Sequence, residues 1–173
     1  LHLARLKSGD SVLIHAAAGG VGSAAVQLAY ATGATVYATT EGSKLARVEH
    51  LGADVAIDYK SEDFAAVIAD KTNGRGVDVI LEMAAHVNLD KDLGLIATRG
   101  RIVVIGNRGR VEIDARQAMG KDATILGMTL FNISDPDMAS INAYMVAGLA
   151  NGTLKPVVGR EFPLADAARA HEA

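Results

Sequence analysis

Cysteine is absent from the chain, so neither a disulfide nor a thiolate zinc site can form, which suits a reducing compartment such as the cytoplasm. Tryptophan is absent too, and aromatics make up only 4% of the 173 residues, so the core is expected to be built from small aliphatic side chains rather than rings. No apolar stretch approaches the roughly 18 residues that a spanning helix needs, and no apolar segment follows a basic start, so neither membrane insertion nor secretion is expected. The sequons at Asn132 and Asn151 mean little without such a signal. Charge of one sign is also lacking. Seventeen Lys and Arg stand against 20 Asp and Glu, a net charge of −3 that exerts no general pull on nucleic acid or an acidic membrane. The motifs of common hydrolases and kinases are missing: no G-x-S-x-G elbow, no H-E-x-x-H, no P-loop lysine, no carboxylate pair on one helical face. The five histidines, His2, His15, His50, His86 and His171, are scattered and read as packed or surface residues, so no metal site is expected.

What is present is glycine and aliphatic bulk. The run Val12 to Ala34 reads as a buried strand, a glycine-rich turn and a small-residue helix. A strand that stops at such a turn and opens a helix presents bare N–H groups and the positive end of the helix dipole, which is a phosphate site. The turn, Ala16-Ala17-Ala18-Gly19-Gly20-Val21-Gly22, is one residue longer than G-x-G-x-x-G and has alanine where the first glycine would be, so its context carries the inference. Gly19 and Gly20 let backbone approach a pyrophosphate, while Gly22 lets the helix sit against the strand. The plainer reading is a tight strand-to-helix turn without a ligand.

Apolar β-branched runs alternate with helical-period segments throughout, the pattern of a parallel sheet covered on both faces. Six strands are predicted: Ser11–His15, Thr35–Thr40, Val55–Asp58, Val77–Met83, Arg101–Ile105 and Thr124–Phe131. The first helix, from about Gly20 to Thr32, would turn Val21, Ala24, Ala25, Leu28 and Ala29 to the sheet. A later helix, from about Pro136 to Asn151, would bury Ile141, Tyr144, Met145, Gly148 and Leu149 and end at Gly152. Leu1 to Leu6 read as the last turns of a helix and Asp166 to Ala173 as the start of another, so the chain looks like one excised domain without an internal boundary. The expected fold is α/β, a doubly wound parallel six-stranded sheet of order 3-2-1-4-5-6.

The residue after the second strand ordinarily selects the dinucleotide. An acid about 20 positions past the glycines binds a ribose 2′-hydroxyl, whereas a cation tolerates a 2′-phosphate. Both occur here, as Glu41 and Lys44, and a solvated helix start explains them equally well.

Four stretches, HAAAGGVGSAAVQLA, LEMAAHVNLDKDLGLIATRGRIVVIGNRGRVEIDAR, ILGMTLF and LKPVVGREFPL, resemble the cofactor domain of zeta-crystallin-type quinone oxidoreductases of the medium-chain dehydrogenase/reductase superfamily. The resemblance spans nearly the whole chain, with Glu82 to Arg116 its most specific part. It implies an NADP(H)-binding domain whose full protein transfers hydride from NADPH to a quinone or other conjugated carbonyl without a catalytic zinc. By the same resemblance Ala18, Gly19, Gly20, Val21 and Gly22 would line the pyrophosphate. Gly42, Lys44 and Tyr59 would meet the adenosine ribose and its 2′-phosphate, and Asn88 the adenosine side or ribose. Ile105, Gly106, Asn107 and Arg108 follow the fifth strand, and Met128, Thr129 and Leu130 would hold the nicotinamide amide through backbone groups. Each has a duller alternative: Asn88 as the cap of a helix starting at Leu89, Tyr59 as a surface ring, Arg108 as part of a solvated cluster with Arg99, Arg101 and Arg110.

Family members carry an additional N-terminal lobe, so this segment alone is expected to bind NADPH but to reduce quinones poorly. Two other readings stay open: an enoyl-thioester or enone reductase, and a non-catalytic nucleotide- or RNA-binding structural module, as the lens and RNA-binding relatives suggest. A homodimer through the ILGMTLF edge is expected.

Overall fold

The computed structural model describes residues 1–172; Ala173, the last residue of the predicted C-terminal helix, lies outside the described residues. The six strands are β1 (Ser11–Ile14), β2 (Thr35–Thr40), β3 (Val55–Asp58), β4 (Val77–Glu82), β5 (Ile96–Val104) and β6 (Thr124–Gly127). They form one parallel sheet in the order β3-β2-β1-β4-β5-β6, as predicted. The chain runs outward from β1 to β3, then crosses back to lay β4 on the other side of β1. That reversal makes the β1–β4 boundary the topological switch point, where open α/β sheets bind ligands.

Helices α1 (Gly20–Thr32), α2 (Leu45–His50), α3 (Phe64–Lys71), α4 (Ala85–Leu95) and α5 (Ala115–Gly120) connect the strands, and α6 (Asp135–Asn151) and α7 (Ala167–Glu172) follow. Two apolar layers result, one on each face of the sheet. Val12, Ile14, Val36, Val79 and Leu81 pack with Ala25, Val26 and Ala29 of α1, whereas Leu13, Ile57, Ile80 and Ile102 pack with Phe64 and Ile68 of α3 and Leu89 and Leu93 of α4. Central strands buried on both faces explain why the runs are continuously apolar instead of alternating.

Four expectations need correction. The inward face of α1 is Gly22, Ala25, Val26 and Ala29, not the stripe containing Val21, which is 57% exposed. The helix is rotated because Gly22 must face the Ala16–Ala17 backbone, which leaves no space for a side chain. Residues 1–6 form turns rather than a helix, with Arg5 at φ 50°. β6 stops at Gly127, because its partner β5 ends at Val104; Leu130–Asn132 instead form a 3-10 turn, with Phe131 and Leu130 exposed. Of the predicted inner face of α6 only Gly148 is buried, against Leu154, and Tyr144 and Leu149 are exposed. Pro136 in the first turn and Gly152, left-handed at φ 77°, bound the helix as expected, and Ser134 caps its start.

Candidate functional site

The residues singled out from sequence each follow the carboxyl end of a strand. In sheet order they are Tyr59 after β3, Gly42 and Lys44 after β2, Ala18 to Gly22 after β1, Asn88 after β4, Ile105 to Arg108 after β5 and Met128 to Leu130 after β6. One edge of the sheet therefore carries them all.

At its centre, the turn after β1 is tied to both neighbouring strands: His15 donates its N–H to Leu81 O at 3.1 Å and Ala17 to Thr39 O at 3.0 Å. Gly19 is the extended N-cap of α1, and no side chain caps this end and no acid occupies its first turn. The first helical bond runs from Ser23 N–H to Gly19 O at 2.8 Å, so the amides of Gly20, Val21 and Gly22 precede the ladder. A Cβ at Gly20 would meet nothing within 4 Å, whereas one at Gly22 would collide with backbone. The turn is thus open where a diphosphate would approach and closed where helix meets strand.

Next to it, a cleft of about 500 Å³ is lined by Met83, Ala84, His86, Gly106, Asn107 and Arg108. Its two walls are joined at Glu82 and Ala85. Ile105 and Gly106 donate to Glu82 O at 2.8 and 3.2 Å, and Ala85 donates to Gly106 O at 3.0 Å. A side chain at Gly106 would strike the Met83 backbone, so glycine is required for this closeness. Asn88 does not cap a helix, since α4 already begins at Ala85; its Nδ2 lies 3.4 Å from Glu82 Oε1.

At the β2–β3 end, Glu41 pairs with two cations, Lys60 Nζ at 2.5 Å and Lys44 Nζ at 3.3 Å. The hydrogen bond from Lys60, then that from Lys44, holds the Glu41 carboxyl below the usual range. Lys60 adds a cation that sequence reading did not select, although it follows Tyr59 directly. Tyr59 is exposed, and Asp58 closes the corner by accepting from Ser61 Oγ at 2.8 Å. At the other end, Met128 N–H donates to Val104 O at 3.0 Å, while Thr129 and Leu130 are exposed. The four arginines do not cluster. Arg101 sits where β5 begins to pair with β6, bonded to Asp10 at 3.1 Å, whereas Arg108 lies past the carboxyl end of β5 with its N–H on His86 Nδ1.

Sequence reading missed a buried polar group beneath the switch point. His15 (4% exposed), Glu82 and Asp92 (both 0%) meet there from β1, β4 and α4. His15 Nε2 lies 3.0 Å from Asp92 Oδ1 and 3.4 Å from Glu82 Oε2, and its Nδ1 lies 3.0 Å from Thr39 Oγ1. Nothing in the linear sequence pairs residues 15, 82 and 92; only the β1–β4 crossover does. The three offer atoms within 4.8 Å of one another, a spacing a small cation could bridge, but hydrogen bonding with one added proton also satisfies them.

Residues 20–143 match the zinc-binding dehydrogenase family. The chain belongs to that family. It is 41% identical to human quinone oxidoreductase across 99% of its own length and 53% of that protein, so it spans about half the length of the curated relatives it matches. Among solved structures, the Escherichia coli quinone oxidoreductase complexed with NADPH superposes with a TM-score of 0.86 at 28% identity, over 97% of this chain and 54% of that one. The CurK enoyl reductase superposes at 0.85 with 31% identity, over 99% of this chain and 52% of that one. Despite the family's description, this segment has no cysteine with which to build a thiolate zinc site.

Proposed function

We propose that this chain is the NADP(H)-binding part of an oxidoreductase that reduces quinones. The observation that carries the reading is the 41% identity to a quinone oxidoreductase along 99% of the chain, and the open glycine turn at the switch point agrees with it. The bound coenzyme would supply a hydride. The protein's own part is to grip and orient it: Ala18 to Gly22 at the pyrophosphate, Gly42, Lys44 and Tyr59 at the adenosine phosphate, and Asn88 with Ile105 to Arg108 along the cleft. Met128 to Leu130 would hold the nicotinamide end. Two copies would join through β6, and substrate contacts and any proton donor would come from chain beyond this segment, so quinone turnover by the segment alone is expected to be weak.

Titration with NADPH and NADH, followed by nicotinamide fluorescence, tests this. Lys44→Ala is expected to weaken NADPH by roughly tenfold, about one charge-assisted contact, with little effect on NADH. Glu41→Gln should do the reverse, because it releases Lys44 and Lys60 for the phosphate. No binding of either dinucleotide would end the reading. A second reading, reduction of enoyl thioesters, is favoured by the likeness to the CurK enoyl reductase. Rates of the full-length protein on benzoquinones and crotonyl thioesters separate the two.

A further inference from the structure

Glu82 faces the core, yet it touches both walls of the cleft. Its carbonyl accepts from Ile105 and Gly106, and its side-chain Oε1 accepts from the Ala84 N–H and lies 3.4 Å from Asn88 Nδ2. The shape of the turn from Met83 to Asn88 therefore depends on how this one carboxyl is held. The groups facing it are His15 from β1, Asp92 and Asn88 from α4, and, through His15, the Thr39 hydroxyl from β2. Phe64 of α3 meets the His15 ring edge-on at 5.1 Å, and Lys91 of α4 lies over Phe64 at 5.5 Å.

The hydrogen-bond inventory closes with a single extra proton. With His15 neutral and its proton on Nε2, that nitrogen donates to Asp92 Oδ1 and Nδ1 accepts from the Thr39 hydroxyl. That leaves Glu82 Oε2 and Asp92 Oδ2 as buried oxygens without a donor. A proton on Glu82 Oε2, donated to the Asp92 carboxylate, gives both side chains a partner. Without it, two carboxylates face each other in a dry interior just below the place where a polyanion would bind.

We propose that Glu82 is a positioning residue for the dinucleotide cleft, and that a proton shared with Asp92 beside a neutral His15 keeps the Met83–Asn88 turn in its binding shape. Burial, then the hydrogen bond with Asp92, pushes Glu82 up to about 7, and burial pushes Asp92 to about 7, while burial lowers His15. The shared proton is thus lost within the range where binding is measured. The proposal rests on the dinucleotide reading above.

The test is NADPH affinity from pH 6 to 8.5 in the wild-type chain, Glu82→Gln and Glu82→Leu. The glutamine copies the protonated carboxyl: its oxygen accepts from Ala84 and its amide donates to Asp92. The wild-type dissociation constant, relative to that of Glu82→Gln, is expected to rise above pH 7 by up to about tenfold per pH unit, the limit for one linked proton. Titration of the coenzyme's own phosphate cancels in this ratio. Glu82→Leu should bind weakly at every pH. Identical pH profiles for wild type and Glu82→Gln would overturn the proposal, as would a stoichiometric divalent ion in the purified chain that Glu82→Gln removes. Absence of NADPH binding in all three would instead sink the dinucleotide reading.

Discussion

Two carboxyls shut away from water destabilise a fold most when both are charged, and the pair at Glu82 and Asp92 makes that cost depend on pH. The folded chain keeps a proton on Glu82 up to about 7, whereas the unfolded chain loses it near the ordinary 4.5. Stability from this proton is therefore full at low pH and lost as pH rises through about 7. His15 acts in the opposite sense. Burial lowers it, so the unfolded chain gains a proton below about 6.5 that the folded one refuses. The two effects oppose each other up to about pH 7, because unfolded His15 is still half protonated at 6.5, so the net fall between about pH 6.5 and 7.5 is shallow. Urea unfolding should show wild-type stability falling there by less than about 0.7 kcal/mol per pH unit, whereas in Glu82→Gln, with only His15 left to act, stability should rise over the same range. A wild-type profile that rises in parallel with that of Glu82→Gln would count against the shared proton. At this scale the sequence was legible for backbone roles and mute for buried side chains. Gly22 and Gly152 could be read because glycine has a steric meaning, whereas His15 looked like any packed histidine.

Among the elements, the passage from β1 into α1 places the most weight on a single position. At Gly22 an added methyl would meet the Ala16 carbonyl and the Ala17 backbone, neither of which can rotate away. Gly22→Ala is expected to cost about 1–3 kcal/mol and to lower the melting temperature, with NADPH affinity falling because α1 shifts. Unchanged melting and unchanged affinity would show that the contact is not rigid. Strand positions were readable wherever both faces are buried, as in Val12–Ile14 and Val77–Leu81. They were less so at β5, where Arg99 at φ 63° and a register shift hide the first half of the strand behind polar residues. The ILGMTLF segment was read as one strand because its seven residues are mostly apolar. What ends β6 after Gly127 is the lack of a partner beyond Val104, a fact about the sheet and not about the segment.

For the whole molecule, the sheet leaves β6 as an edge with Ile125 partly exposed, and the nearby Leu130 and Phe131 are open to solvent. Such an edge is a template for a second copy. Sedimentation velocity is expected to show a dimer, and Ile125→Lys should shift it toward monomer; a wild-type chain that stays monomeric at high concentration would remove the dimer from the proposal. The topology was legible from the alternation of elements because parallel strands need crossovers and crossovers have one hand. The exposed face of α6 was not, since its period is helical whether or not anything covers it.

The crossover also fixes an order of events as the chain folds. β1 and β2 can zip together early, but the bond from Ser11 to Asp78 spans 67 residues, so β4 must arrive after a long loop has closed. The glycine turn's second anchor at Leu81 and the buried group of His15, Glu82 and Asp92 form only at that docking step, whereas the first anchor, at Thr39, needs only β1 and β2.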